Sequence, residues 1–107
     1  MEKRKRKIYL SLPISGYDLN ERIERAKFVK EKFEKMGYVV ANPLENGIDH
    51  YAPTYVHMKK DLEMLLDCDV AFFMEGWNRS AGCHTEFTVA IACGKEIMFE
   101  TLTKVRL

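Results

Sequence analysis

Two carboxylates stand where packing alone would place apolar side chains. Asp61 lies three residues after Met58 and four before Leu65, inside the stripe Met58, Leu62, Leu65 that reads as the buried side of a helix. A carboxyl group there must be paired, neutral, or facing a cavity. A place at the margin of the stripe, met by a lysine or a backbone donor, is the bland alternative. Glu86 is the second, set among Phe87, Val89, Ala90, Ile91 and Cys93. Closeness to a helix N-terminus would account for it structurally, at about 0.3–1 kcal/mol. A capping box does not, because the residue three before it is Cys83. Ser80-Ala81-Gly82, leading into that helix, offers a hydroxyl, a flexible backbone and free N–H groups, which together make an anion site. Serine and glycine also precede many helices simply as caps. Trp77 on the same segment serves equally as a stacking surface for a flat ring or as a lid over the core.

Other constellations fail. Neither G-x-G-x-x-G nor G-x-x-x-x-G-K-[ST] occurs. His50, His57 and His84 have no paired metal-ligand spacing, so no metal and no cofactor are expected. Cys83 and His84 are adjacent, so their side chains diverge along a helix and a Cys-His nucleophile would need a partner from elsewhere.

The elements that must position these residues alternate. Ile8 to Leu12 reads as a first strand, broken by Pro13 and Gly16. Asp18 and Glu21 then start a helix whose apolar positions Leu19, Ile23, Ala26, Val29, Phe33 and Met36 run to a stop at Gly37. Tyr38 to Ala41 makes a second strand. Residues 42–54 carry Pro, Gly and Asn punctuation with no sustained period and read as a long loop of the functional kind. A helix over 55–67, the apolar strand Val70 to Met74, a helix over 83–93 stopped by Gly94, and a strand over 96–99 complete the chain. This order predicts an α/β fold, a small three-layer sandwich with a parallel sheet of about four strands covered by three helices. Ligands on such sheets bind beyond the carboxyl ends of the strands.

With 107 residues, 47% hydrophobic and 31% charged, the composition fits one globular domain over 8–107 rather than a disordered chain. The longest apolar runs are five residues, far short of the roughly 20 that span a membrane, and a cytoplasmic location is expected. Cys68, Cys83 and Cys93 cannot all pair and form no C-x-x-C, which agrees with a reduced compartment. Five of the 17 basic residues fall at positions 3–7, so residues 1–7 read as a basic, disordered tail on an otherwise acidic domain.

Four segments in order carry a resemblance. Ile8-Tyr9-Leu10 is followed by Gly16, Asp61-Leu62-Glu63-x-Leu65 runs into Asp69-Val70-Ala71, and Ser80-x-Gly82-x-x-x-Glu86-x-x-x-Ala90 precedes Gly94-Lys95. Over residues 8–99 the chain resembles the nucleoside 2-deoxyribosyltransferase superfamily, including its deoxynucleoside-monophosphate N-glycosidase branch and related short bacterial and phage domains. The resemblance implies a flavodoxin- or Rossmann-like fold. It implies Glu86 as nucleophile on the anomeric carbon, Asp61 as the acid that protonates the departing base, and Tyr9 as a hydroxyl holding Glu86. A helix N-terminus would then favour charge on Glu86, and an apolar stripe the neutral form of Asp61. Transferases of this kind commonly carry aspartate six residues before the nucleophile, whereas the monophosphate hydrolases carry serine. Ser80 therefore points to a 5′-monophosphate, with the N–H groups of Gly82 and Cys83 assisting and Arg79 adding a bidentate contact. Gly16 and Trp77 complete the expected substrate-binding set. One departure is Thr88, where the family usually shows glycine.

Three readings follow. The first is an enzyme that hydrolyses or transfers the N-glycosidic bond of a (deoxy)nucleoside 5′-monophosphate. The second is a catalytically silent nucleotide-binding module in which Glu86 merely serves its helix. The third, less favoured, is an interaction domain using the basic tail on nucleic acid. The expected partners are a nucleotide or nucleoside and a second copy of the chain, because a sheet this small leaves edges to cover.

Overall fold

The computed structural model describes residues 4–101. The expected domain end beyond 101 and the first three residues of the expected tail lie outside them. Four strands alternate with three helices: β1 (Lys7–Ser11), α1 (Leu19–Lys35), β2 (Val39–Ala41), α2 (Thr54–Leu66), β3 (Val70–Phe73), α3 (Ala81–Ala92) and β4 (Glu96–Phe99). Single 3₁₀ turns occupy Pro43–Glu45, inside the long loop, and Trp77–Arg79. The strands are all parallel in the order β2-β1-β3-β4, with Ile8 beside both Val40 and Val70, and Val70 beside Glu96.

The period of two sorts side chains between two faces. Ile8, Leu10, Val70 and Phe72 meet Ala26, Val29 and Phe33 of α1. Phe33 meets Phe72 edge-on with ring centroids 4.9 Å apart, a geometry worth about 0.5–1.5 kcal/mol beyond burial. Tyr9, Ala71 and Phe73 face Leu62 and Leu65 of α2 and Phe87 and Ala90 of α3. The result is the expected three-layer α/β sandwich, with β3 buried on both faces as an interior strand requires.

Local chemistry sets the helix ends. Asp18 caps α1 by accepting from Glu21 N at 3.2 Å, while the Glu21 carboxylate pairs with Arg22 instead of reaching back to close a capping box. Ser80 Oγ accepts from Cys83 N at 3.2 Å, so α3 opens at Ala81, two residues before the expected Cys83. Glu86 consequently sits in the second turn of α3 and not at its mouth.

The described part of the basic tail is also corrected. Arg4 pairs with Asp69 at 2.8 Å and Arg6 with Glu96 at 2.9 Å, while Lys7 opens β1. These residues are held by the ladder and by carboxylates at the amino ends of β3 and β4, so they do not form a free arm.

The chain passes from β1 to β2 on one side and then to β3 on the other, so the direction of winding reverses between β1 and β3. Crossovers on opposite faces leave a crevice beyond the carboxyl ends at that point.

Candidate active site

Tyr9 and Ser11 are two residues apart on β1 and therefore share a face. Tyr9 Oη donates to Glu86 Oε2 at 2.6 Å, and Ser11 Oγ donates to Glu86 Oε1 at 2.6 Å. Both β1 side chains are fully buried and Glu86 is 5% exposed. Burial pushes the Glu86 carboxyl up to about 7; the two hydroxyls pull it down and the charge of Asp61 raises it. Tyr9 lies well above its ordinary value through burial and the neighbouring carboxylate, so it keeps its proton and remains a donor. Glu86 lies in the second turn of α3, beyond the first turn of the helix N-terminus expected to stabilise its charge. The helix field falls off within the first turn, and the carboxylate is met directly by the two β1 hydroxyls.

Asp61 is half-buried on α2, and its Oδ1 accepts from Asn46 Nδ2 at 2.9 Å. Burial raises its pKa, opposed by the Asn46 hydrogen bond and the nearby His57. The lysine or backbone partner of the bland reading is replaced by a side-chain amide from the long loop. Asp61 and Glu86 line one cavity of about 350 Å³, walled on its apolar side by Leu12, Ile23, Leu44 and Met58. That is the size of a small-molecule site, and it opens beyond the carboxyl ends of β1 and β2.

Ser80 and Gly82 line the same cavity. The Cys83 N–H, expected to help hold a phosphate, is already bonded to Ser80 Oγ. The N–H groups of Ala81 and Gly82 precede the first intrahelical bond, from His84 N to Ser80 O. Gly16, with φ of +86°, shapes the turn after β1, where its neighbour Ser15 reaches the cavity wall and Gly16 does not. Trp77 is a lid over the core: it stacks on Phe87 with centroids 5.0 Å apart and packs against Phe73 and Phe99. Arg79 is exposed and outside the cavity wall, its guanidinium near Gly76. Neither Trp77 nor Arg79 is brought to the site.

Sequence patterning does not single out Ser11 or Asn46, and it weighs His57 only as a metal ligand. Ser11 carried a readable signal, a polar residue two positions from Tyr9 in an otherwise apolar interior strand. The buried Cys83 thiol is pushed up by burial and stays protonated, and His84 turns to Asn78 O at 2.7 Å, so no Cys-His pair forms. Among the described residues no cluster of three His, Cys, Asp or Glu could hold a metal ion. None of their helices is long and apolar enough to cross a membrane.

The α/β fold is the one shared by solved nucleoside 2-deoxyribosyltransferases. The 2-deoxyribosyltransferase of Bacillus psychrosaccharolyticus superposes with a TM-score of 0.68 at 21% identity, covering 94% of this chain and 77% of that one. A CMP N-glycosidase of Clostridium botulinum gives 0.62 at 21% identity, covering 88% and 70%. A 2-deoxyribosyltransferase of Leishmania mexicana gives 0.67 at 19% identity, covering 88% and 63%. At these identities the likeness is one of fold. No curated protein matches the sequence. The chain belongs to the family described as "Domain of unknown function (DUF4406)", which matches residues 6–99.

Proposed function

We propose that the chain cleaves the N-glycosidic bond of a (deoxy)nucleoside 5′-monophosphate through a glycosyl-Glu86 intermediate. One observation carries this reading: Glu86, held by two 2.6 Å hydroxyl contacts, shares a cavity with a second carboxyl group, Asp61. Glu86 attacks the anomeric carbon as the bond to the base breaks. The electron pair leaves with the base nitrogen, which takes the Asp61 proton. Water, or a second base in transfer, then attacks the same carbon and releases Glu86, and the incoming group returns a proton to Asp61. Both carboxyls are raised by burial, Glu86 to about 7. The positive charge developing on the sugar beside Glu86 favours the anion there and the proton on Asp61.

A 5′-phosphate is supported by Ser80 and the first-turn N–H groups of α3 at the cavity edge. Product analysis across a panel of deoxy- and ribonucleoside 5′-monophosphates tests the reading. Wild type is expected to release free base, and Glu86→Gln to bind the same nucleotide while losing turnover about 1,000-fold or more. Binding without release from any member, with or without an acceptor base, would leave a nucleotide-binding module. The reading includes a homodimer, supported by Ile91 of α3, a large apolar side chain left 55% exposed.

A further inference from the structure

We propose that Asn46 is a positioning residue for the acid of the site: by donating to Asp61 and His57 at once, it confines the transferable proton of Asp61 to Oδ2 and holds His57 as the Nε2–H tautomer. This deepens the glycosidase reading and rests on it only for the destination of the Asp61 proton.

The orientation of the Asn46 amide follows from its own loop. Its Oδ1 accepts from Ile48 N at 2.8 Å, a contact that only the oxygen can make. The amide nitrogen therefore faces α2, where it lies 2.9 Å from Asp61 Oδ1 and 3.3 Å from His57 Nδ1. His57 and Asp61 are four residues apart and so share one side of that helix. A donor aimed at Nδ1 requires that nitrogen to be bare, which places the ring proton on Nε2. A donor aimed at Oδ1 likewise keeps that oxygen an acceptor whether Asp61 is charged or neutral, and the proton of the neutral acid goes to Oδ2.

The arrangement has a cost that packing alone would not select. His57 Nε2 is buried and has no hydrogen-bond partner among the described residues. Buried donors without partners are rare in native proteins, and each exception calls for a specific cause. Here the cause is the second proton acceptor, Nδ1, that Asn46 needs if both hydrogens of its amide nitrogen are to be used on α2.

The chemical consequence is a general acid that changes charge without moving. When the bond between sugar and base breaks, the base nitrogen gains the electron pair and the proton from Asp61 Oδ2. Asp61 is left as a carboxylate still bonded through Oδ1 to Asn46. In the second step the oxygen of water bonds to the anomeric carbon, the electron pair returns to Glu86, and the water proton passes to Asp61 Oδ2. Asn46 keeps the same three contacts throughout, so the acid's support does not have to reorganise in either step.

Nitrogen NMR of the His57 ring and carbon NMR of the Asp61 carboxyl, on the whole chain, test this without relying on turnover. Wild type is expected to show the Nε2–H tautomer while the ring is neutral; the Nδ1–H tautomer overturns the proposal. Asn46→Ala is expected to give mixed tautomers and to move the Asp61 midpoint upward by about one pH unit or more, because a donor to the charged form is lost. A folded variant whose Asp61 midpoint stays put also overturns it. If Asn46→Ala does not fold, Asn46→Leu, similar in size but without the amide, is read in the same way. In turnover, Asn46→Ala is expected to slow release of an unactivated base about tenfold or more. Within a single turnover, before water attacks the glycosyl-enzyme, it should leave release of a 4-nitrophenolate leaving group, which needs no proton, within about twofold of wild type by the same reasoning. Equal loss on both overturns the positioning role. Absence of turnover in wild type defeats the glycosidase reading alone, and the NMR outcomes then decide the Asn46 proposal.

Discussion

Glu86 is subject to opposing demands. Burial favours its protonated form, the hydroxyls of Tyr9 and Ser11 favour the carboxylate, and the balance stands at about 7. Tyr9→Phe removes one donor to the charged form. The acidic limb of kcat/KM against pH is then expected to move upward by about one pH unit or more, with activity at neutrality falling roughly tenfold. A limb that does not move would remove Tyr9 from the site. The same group sets a pH dependence of folding. Its pKa is raised in the folded chain above an ordinary value near 4.5, so its contribution to stability is complete below that pH and is lost as pH rises through about 7. The loss amounts to roughly 3 kcal/mol. Thermal unfolding of wild type should therefore fall relative to Glu86→Gln between about pH 5 and pH 8, and parallel curves for the two proteins would contradict the buried, raised carboxyl.

Helices and loops hold these groups in register. Ser80 fixes where α3 begins, and hence that Glu86 projects toward β1 from the second turn. The loops that follow β1 and β3 are locked together around Gly76. Its φ is +90°, and a Cβ there would lie 2.7 Å from Tyr17 Oη and 3.2 Å from Pro13 Cγ. The Tyr17 ring lies under the Arg22 guanidinium at 4.2 Å, and Arg22 donates to Pro13 O at 3.2 Å. Gly76→Ala meets both the backbone and the steric obstacle and is expected to cost about 2 kcal/mol, lowering Tm by roughly 8 °C or more. Calorimetry of the variant checks this, and an unchanged Tm would show that the two loops are not coupled. Trp77 distinguishes packing from recognition in a similar way. As a core lid, Trp77→Ala is expected to lose about 3 kcal/mol of stability, and Trp77 fluorescence should not respond to bound nucleotide. Strong quenching on binding would return it to the site.

Taken as one molecule, the fold places its pocket beyond the carboxyl ends of the strands, and its polar wall joins the long loop, α2 and the first turns of α3. Its basic N-terminal residues are partly spent on the fold, since Arg4 and Arg6 pair with Asp69 and Glu96. Among the large apolar side chains left exposed is Ile91 of α3. Sedimentation is expected to find two chains together at micromolar concentration, and Ile91→Glu, which lies outside the pocket wall, to release single chains. Wild type sedimenting as one chain would overturn the dimer.

The order of elements was legible because it rests on local periodicity. The apolar spacing of α1, the unbroken run of β3, and the caps Asp18 and Ser80 each act within a few residues. Asp61 and Glu86 were legible for the same reason, as acids that contradict the pattern around them. Their partners were not. Ser11 is 75 residues from Glu86 and Asn46 is 15 from Asp61, in a loop with no period to read. Trp77 and Arg79 show the converse, residues of suitable type in a suitable segment that the sheet turns elsewhere. By itself the sequence determined which residues would be costly to bury without a purpose, because that cost depends on side-chain chemistry and the local apolar stripe. Only the tertiary structure decided which groups meet that cost, because hydrogen bonds across the switch between β1 and β3 join residues that no local pattern connects.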